Sequence, residues 1–309
     1  MTYAYIEREL AAGRQIILDG GTGTELERRG VAMNDGAWCG AATVDALATL
    51  QAVHRDYIDA GAQVITANTF ASSRIMLARA GLADRVEEIN AAAVQAAVQA
   101  RDERETPTPV AVAGSLSHMA PMQAGAASPE MGVMPTRDDF RAAVEEMADI
   151  HVRYGADLII LEMMYDPDRM EPAFAAARAS GLPFWAGFAA RQGANGEVLA
   201  FRSDIDVPLA DIVGLAREYG AAAAGVMHTP SNLIEEADAI VAANFGGPRV
   251  AYPDSGHFQM PSWQFQDIIS PQDFAAFATQ WTARGVQIIG GCCGLSPEHI
   301  AALAPLRHA

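Results

Sequence analysis

The chain alternates short apolar runs, rich in β-branched residues, with longer segments whose apolar positions recur at helical spacing. Short apolar runs bounded by glycine, proline or polar residues are typical of buried strands, and a 3.6-residue period is typical of helices. We predict eight strands, at 15–19, 63–70, 110–116, 157–163, 183–190, 221–228, 249–253 and 286–289.

Helical segments separate most of these strands. Thr43 is predicted to cap a helix that reaches Ile58, and a long alanine-rich helix is predicted over 84–104. Thr136 opens a further helix with a capping-box-like pattern, and Ser296 caps the helix that follows the last strand. Because no shift in composition marks a linker, strands alternating with helices predict an α/β protein with a single domain over 1–309. The fold expected is a (β/α)8 TIM barrel, and a doubly wound open sheet is the alternative.

The segment from Ser117 to Pro135 follows neither period. It combines proline, glycine and serine with four methionines and comes directly after a predicted strand. We predict a long surface loop, and we advance the hypothesis that it is a mobile cover over a site.

Composition and charge exclude several classes of function. A formal net charge of -17 argues against nucleic-acid binding, since phosphates would be repelled. No apolar run is long enough to span a membrane, and the first ten residues show no signal pattern. The three cysteines do not form a disulfide framework, so we expect a reducing, cytoplasmic setting. The sequence is compatible with a homo-oligomer.

Polar residues stand where the predicted strands end. In a parallel barrel these ends meet on one face, where functional groups gather. The candidates on that face are Asp19, Asn68, Glu162, His228, Asp254, Cys292 and Cys293. The glycine-rich turn from Gly20 to Glu25 lacks the lysine of a phosphate loop. It is either an ordinary tight turn or a set of backbone N–H groups facing a small anionic group.

Two thiols and one imidazole make a Cys2His set, and catalytic zinc takes three protein ligands with the fourth position open. Cys292 and Cys293 could alternatively be buried fillers or a vicinal disulfide, and His228 could be an ordinary packed histidine. Glu162 could cap a helix or bind a substrate ammonium group. Cys39 is interpreted as structural. His257 and His299 could support the site, which spacing alone leaves open.

Several motifs carry a resemblance to a known family. They are Leu18-Asp19-Gly20-Gly21-Thr22-Gly23-Thr24-Glu25-Leu26, Ile65-Thr66-Ala67-Asn68-Thr69-Phe70, Leu161-Glu162, Tyr252-Pro253-Asp254-Ser255-Gly256, Trp263, Gly290-Gly291-Cys292-Cys293-Gly294 and Pro297-Glu298-His299-Ile300. With these motifs the chain resembles the homocysteine S-methyltransferase family along nearly its whole length. The glycine and cysteine motif is the most specific of them.

The resemblance implies a zinc-bearing barrel that moves a methyl group from an onium or methylfolate donor to a thiol, most often homocysteine, which becomes methionine. It implies zinc ligands at His228, Cys292 and Cys293. Glu162 would hold the acceptor's ammonium group, and Asp19 would help to place the acceptor. Further substrate-binding positions are implied at Gly20, Gly21, Thr22, Asn68, Thr69, Asp254 and Ser255. Since the resemblance leaves no folate or cobalamin domain, we expect a small sulfonium or betaine-type donor.

The chain departs from the family's pattern at three places. His228 stands where the family has its first zinc cysteine, and Asp254 stands where it has asparagine. Ser117-His118 replaces a glycine-containing turn. Three alternatives therefore stay open: a different acceptor, a catabolic onium demethylase, and a metal-binding barrel without methyl transfer.

Overall fold

Eight parallel strands form a closed ring in the computed structural model, which describes residues 2–202 and 204–308. We number them β1 (Ile16–Ile17), β2 (Val64–Thr66), β3 (Ala111–Ser117), β4 (Leu158–Met164), β5 (Phe184–Phe188), β6 (Ala223–Pro230), β7 (Arg249–Asp254) and β8 (Val286–Ile289). β8 pairs with β1, and the bridge between Leu18 and Val64 joins β1 to β2. The predicted (β/α)8 barrel is confirmed.

Helices surround the ring. They are α1 (Tyr3–Ala11), α2 (Thr22–Arg28), α3 (Ala42–Asp45), α4 (Leu47–Asp59), α5 (Arg74–Arg79), α6 (Val86–Asp102), α7 (Arg137–Arg153), α8 (Pro167–Ala179), α9 (Leu209–Tyr219), α10 (Ile234–Asn244), α11 (Pro271–Ala283) and α12 (Pro297–Ala301). Most of their apolar faces pack on the outward side chains of the strands in one large core cluster, whereas Ile6 and Leu10 of α1 belong to a second cluster. Short 3-10 turns occur at Cys39–Ala41, Ala83–Arg85, Met131–Val133, Ser231–Leu233 and Ala304–His308.

Two of the predicted helix starts are confirmed, and one is wrong. Thr136 closes a capping box with Asp139, and Ser296 forms a reciprocal cap with His299. Thr43 lies inside α3 rather than ahead of a helix, and its hydroxyl accepts from the Asn68 side chain at 3.3 Å. The Thr43 hydroxyl therefore takes part in a tertiary hydrogen bond with Asn68 and does not cap a helix as the sequence pattern predicted.

The amino-terminal helix closes one end of the barrel, which the sequence pattern did not predict. Ile6 and Leu10 of α1 pack among the inward side chains of the strands. The Trp185 indole donates to the Tyr3 hydroxyl at 3.1 Å. Because this end is filled, a ligand is left with the opposite end, where the strands finish.

Two antiparallel hairpins stand at that opposite end. One joins Ala190–Gln192 to Val198–Ala200 after β5, and the other joins His257–Gln259 to Ser262–Gln264 after β7. The strand predicted over 183–190 ran into the first hairpin, because its apolar residues continue past the end of β5. Among the described residues, no helix is long and apolar enough to cross a membrane.

Candidate metal and substrate site

The ends of β6 and β8 bring three potential metal ligands together. One nitrogen of His228 and the sulfurs of Cys292 and Cys293 all lie within 4.8 Å of one another, and all three side chains are buried. The two thiols are free, with a separation of 3.7 Å between their sulfurs. The alternative of a vicinal disulfide is therefore wrong.

The spacing of these atoms fits a tetrahedral metal. Zn–S bonds of about 2.3 Å and a Zn–N bond of about 2.0 Å would place two sulfurs about 3.8 Å apart and a sulfur and a nitrogen about 3.5 Å apart. The observed sulfur–sulfur distance is 3.7 Å, and both ring nitrogens of His228 lie 3.4 Å from the Cys292 sulfur. The donor types and these distances thus fit a metal ion.

Glycines let the chain place the two cysteines. A Cβ on Gly290 would lie 2.7 Å from the carbonyl oxygen of Asp19, so no larger residue fits where β8 passes β1. The Gly291 N–H donates to that same carbonyl at 2.9 Å. The Cys292 N–H donates to the Pro253 carbonyl at 2.7 Å, which fixes the thiols against the end of β7.

Glu162 and His228 both stand at irregularities of the barrel strands. The pairing register shifts between Leu161 and Met164 in β4, and between Met227 and Pro230 in β6. His228 itself has a positive φ of 47°. Such bulges turn a side chain away from the regular alternation of a strand and recur next to active sites.

The carboxylate of Glu162 contacts the His228 ring. Its Oε2 lies 3.1 Å from the His228 Nε2, and because both ring nitrogens lie 3.4 Å from the Cys292 sulfur, Nδ1 is the nitrogen left free for a metal. A carboxylate that accepts from one ring nitrogen fixes the tautomer in which the other nitrogen can bind a metal. Glu162 does not cap the next helix, because Asp166 caps α8.

Burial and close contacts shift the pKa values of the cluster. For the protein residues alone, burial lowers the pKa of His228, but contacts with Cys293 and Glu162 outweigh it and raise the pKa to about 10. The neighbouring Cys292 thiol lowers the pKa of Cys293, whereas burial raises the pKa of Cys292 well above its usual value. The cluster therefore favours the thiolate form of Cys293, the form that binds metals.

A small pocket of about 40 Å³ adjoins the cluster on one side. It is lined by Gly21, Thr22, Gly23, Trp38, Cys39, Thr66, Ala67, Asn68, Phe70, Glu162, His228, Tyr252, Cys292 and Cys293. The structure thus brings four of the predicted substrate-binding residues together with the predicted metal ligands. Cys39, which we interpreted as structural, also lies on this wall and is 2% exposed.

A larger cavity of about 300 Å³ adjoins the cluster on the other side. It is lined by Trp38, Phe70, Met119, Met122, Ala127, Met163, Tyr165, Phe201, His228, Pro230, Asp254, Gly256, His257, Phe258, Trp263 and Cys293. Six of these are aromatic and three are methionines. The sequence analysis placed Met119 and Met122 in the segment expected to cover a site, and it gave no site role to the other seven. Phe70 ends the strand predicted over 63–70 and Tyr165 directly follows β4, which is the signal that could have indicated them.

Comparison with known proteins decides the family. A family model described as homocysteine S-methyltransferase matches residues 16–306. The chain belongs to the homocysteine S-methyltransferase family. It is therefore an S-methyltransferase, and its substrates are a small-molecule thiol acceptor and a methyl donor. The family's dependence on a metal agrees with the cluster of His228, Cys292 and Cys293.

Relatives of this methyltransferase occur in plants and bacteria. It is 27% identical to homocysteine S-methyltransferase 3 of Zea mays, with 95% of this chain and 90% of the relative covered. It is 27% identical to homocysteine S-methyltransferase YbgG of Bacillus subtilis, with 94% and 93% covered. It is 27% identical to the selenocysteine Se-methyltransferase of Brassica oleracea var. italica, with 97% and 91% covered.

The fold of the methyltransferase has a solved counterpart. The metallated form of the homocysteine methyltransferase MmuM from Escherichia coli superposes with a TM-score of 0.74 at 23% identity. The match covers 97% of this chain and 99% of the other. It supports the barrel assignment for the whole described chain.

Four predicted substrate residues make structural contacts and do not line the small pocket. Asp19 is fully buried, and its carboxylate accepts from the Thr66 N–H at 2.6 Å and the Thr66 hydroxyl at 2.9 Å. Burial raises the pKa of Asp19 to about 8. Thr69 donates to the Ser115 carbonyl at 2.8 Å, and the Ser255 hydroxyl accepts from the Ile269 N–H at 2.9 Å. A Cβ on Gly20 would lie 2.5 Å from the Leu295 carbonyl oxygen. Their roles in substrate binding stay predictions.

The two other candidate histidines lie in different parts of the methyltransferase, one in a helix cap and one on the wall of the larger cavity. His299 donates from Nε2 to the Ile269 carbonyl at 2.8 Å and accepts at Nδ1 from the Ser296 N–H, so it secures α12. His257 is exposed on the hairpin after β7 and lines the larger cavity.

The segment from Ser117 to Pro135 covers part of the larger cavity. Met119, Met122 and Ala127 contribute to the cavity wall. The segment is joined to the hairpin after β7, because the Gly125 N–H donates to the Met260 carbonyl at 2.9 Å. Movement of this cover stays a prediction. Hydrogen exchange with and without substrates would test it, and unchanged protection of residues 117–135 would contradict the hypothesis of a lid.

His228→Ala is expected to weaken metal binding by the methyltransferase more than about a hundredfold, because alanine removes one of three ligands, and loss of a residue that only supports a ligand already costs about tenfold to a hundredfold. His228→Cys is expected to keep the metal while altering activity or acceptor preference. Three thiolates carry one more negative charge than two thiolates and a neutral imidazole, so the bound acceptor becomes a stronger nucleophile but is more easily protonated. Metal content and competition with a chelator measure the first effect.

His257→Ala is the matched control, since this second histidine lines the larger cavity but lies outside the metal cluster. The control variant should keep the metal affinity of the parent. If His228→Ala also keeps it, His228 is not a ligand.

Proposed function

We propose that the protein catalyses zinc-dependent methyl transfer from a small sulfonium or betaine-type donor to a thiol acceptor, with homocysteine as the acceptor and methionine as the product. The observation that carries the proposal is the position of the His228, Cys292 and Cys293 cluster between two separate cavities. The small pocket and the larger cavity share four wall residues, which are Trp38, Phe70, His228 and Cys293. A two-substrate transfer requires this contiguity.

The small pocket suits the polar part of an amino-acid thiol. Glu162 is 4% exposed and lies on the pocket wall, where its free oxygen can accept from an ammonium group. The Asn68 side chain donates to the Cys39 carbonyl at 2.9 Å, which fixes the amide on the same wall. A volume of about 40 Å³ holds roughly three water molecules. An amino-acid acceptor must therefore extend its thiol toward the metal cluster and the larger cavity.

Zinc is the ion that we propose for the cluster, because two thiolates and an imidazole are the soft and intermediate donors that it takes in catalytic sites. A bound zinc ion would lower the pKa of the acceptor thiol and keep it as thiolate at neutral pH. His228, Cys292 and Cys293 would hold it. In this proposal Asp19, Thr69 and Ser255 do not contact the acceptor, and they act by fixing the backbone around it.

The transfer step needs orientation and an apolar surrounding. The acceptor sulfur attacks the methyl carbon in line, the bond from that carbon to the donor's heteroatom breaks, and its electron pair stays on the leaving heteroatom. A negative thiolate and a positive onium thereby become two neutral products. Because charge disappears, the aromatic and methionine walls favour the transition state over the separated ions, and holding both partners in contact supplies much of the remaining rate.

A second acceptor is favoured by one observation. Relatives named for homocysteine and for selenocysteine are equally similar to this chain, at 27% identity. The acceptor could thus be a shorter selenol or thiol amino acid in the same pocket.

The test combines metal analysis with methyl transfer from a panel of sulfonium and betaine donors to homocysteine and to selenocysteine. We expect about one zinc per chain and a transfer rate to homocysteine that depends on that zinc. If the zinc-loaded protein transfers methyl groups to selenocysteine and not to homocysteine, selenocysteine replaces homocysteine as the proposed acceptor. Consumption of donor without a methylated thiol would indicate a catabolic demethylase, and no transfer with any pair would leave a metal-binding barrel.

We also propose a reducing compartment, the cytoplasm, because Cys292 and Cys293 must remain thiols to bind a metal. The residues that form the cluster and both cavities come from one chain and one barrel. The proposal therefore needs neither a second domain nor a homo-oligomer.

A further inference from the structure

Aromatic side chains form two walls of the larger cavity. On one wall Trp38 packs edge-on against Phe70 and Phe258, with ring centroids 6.1 Å and 5.2 Å apart, and Phe258 in turn packs against Trp263 at 6.4 Å. Tyr165 and Phe201 pack together on the other wall at 5.7 Å. These contacts hold the rings in place, so the cavity does not depend on a ligand for its shape.

A buried ion network fixes the position of Tyr165. The His118 Nε2 accepts from the Tyr165 N–H at 3.0 Å, and the two rings meet edge-on with centroids 4.5 Å apart. Arg169 donates to the His118 carbonyl, lies over the Tyr165 ring and pairs with Asp166, so its charge is already paired with a carboxylate. The Ser117-His118 turn, where this chain departs from its family, thus positions the second aromatic wall.

One carboxylate faces this aromatic cavity. Asp254 ends β7 and lines the cavity beside Gly256 and His257. Among residues 2–202 and 204–308 its carboxylate receives no hydrogen bond from another residue and forms no ion pair. The lining contains no arginine, and the chain contains no lysine. The cavity therefore has one carboxylate, and the basic side chains that line it with Asp254 are His228 and His257.

Such a lining discriminates by charge. A quaternary ammonium or a sulfonium is attracted by aromatic faces and by a carboxylate, and methionine sulfur packs well against it. A carboxylate on the ligand would lose its water without finding an arginine or lysine, and Asp254 would repel it. For a zwitterionic donor, the unfavourable free energy of burying its carboxylate therefore offsets the favourable binding free energy of its cationic group.

We propose that Asp254 selects, for this cavity, a methyl donor that is a net cation without a carboxylate, which narrows the donor class to simple sulfonium and quaternary ammonium compounds and excludes betaines. The inference rests on the proposed function for the identity of the reaction. When the methyl group leaves, the onium becomes a neutral sulfide or amine, and the acceptor thiol becomes a thioether with the release of one proton. The neutral leaving group loses its attraction to Asp254, which favours its release.

Binding to the intact protein tests the charge selection without turnover. Choline, its uncharged carbon analogue and glycine betaine share one bulky end group and differ in charge. Calorimetry on the parent protein should show choline bound about tenfold or more tightly than the other two compounds. Asp254→Asn keeps the shape of the side chain. This variant should bind choline about tenfold more weakly than the parent, and the difference in affinity between choline and glycine betaine should become smaller.

His257→Ala is the control for a cavity residue without the charge, and its choline affinity should stay within about twofold of the parent. Equal affinity for choline and glycine betaine in the parent overturns the proposal, as does an unchanged preference in Asp254→Asn with an unchanged melting temperature. Failure of this selection is separate from failure of the proposed function, since methyl transfer from trimethylsulfonium and from glycine betaine to homocysteine is measured independently.

Discussion

Cys293→Ala is expected to lower the affinity for metal by more than about a hundredfold and to abolish methyl transfer, while the barrel stays folded. Loss of a partner that only supports a ligand costs about tenfold to a hundredfold, so loss of the ligand itself should cost more. Cys293 also lies on the walls of both cavities, and its contact with the Cys292 thiol lowers its pKa. Cys292→Ala should behave in the same way.

The third cysteine provides the control for these variants. Cys39 is buried near the cluster but does not belong to it, so Cys39→Ala should keep its metal. Metal content, chelator competition and far-ultraviolet circular dichroism measure the three variants together. A Cys293→Ala protein that retains full metal would refute the ligand assignment.

Glu162→Gln is expected to weaken the binding of homocysteine by about 1.5 to 3 kcal/mol, or about tenfold to a hundredfold, because a hydrogen-bonded charge pair with the ammonium group is lost. Metal affinity should fall far less, since the glutamine oxygen can still accept from the His228 Nε2 that now lies 3.1 Å from Glu162. Calorimetric titration of the zinc-loaded protein with homocysteine measures the loss.

A second ligand separates recognition of the ammonium from a general disturbance of the pocket. The same thiol without its amino group should bind the parent and Glu162→Gln with equal affinity. If both thiols weaken in parallel, Glu162 acts by orienting His228 and not by holding the acceptor. Unchanged homocysteine affinity would remove both roles.

The barrel could be predicted because its strands are buried on both faces and therefore appear as continuous apolar runs. The run at 183–190 shows the limit of this signal. Ala189 and Ala190 are as apolar as β5 itself, yet the chain leaves the barrel there to form a hairpin. Helix α1 was missed because its apolar side, with Ile6 and Leu10, is narrow in a short polar segment.

Only those site residues that lie at the ends of predicted strands could be predicted from the sequence. His228, Cys292 and Cys293 stand at such ends, and the structure brings them together. Asp19 stands at a strand end too, but its side chain turns onto Thr66, and sequence position does not indicate that direction. The aromatic walls come from loops and hairpins that meet only after the barrel has closed, so no local pattern could indicate them.

The closure of the ring also fixes when the metal centre can be assembled. β1 pairs with β8, and the Gln287 side chain donates to the Leu10 carbonyl across 277 positions. Contacts between such distant segments form late in folding, because the intervening chain must first be ordered. Cys292 and Cys293 follow all eight strands in the order of synthesis, so a ribosome-bound chain has His228 exposed before either thiol exists. The three side chains of the cluster therefore come together only after the last strand has been synthesised and has joined the ring.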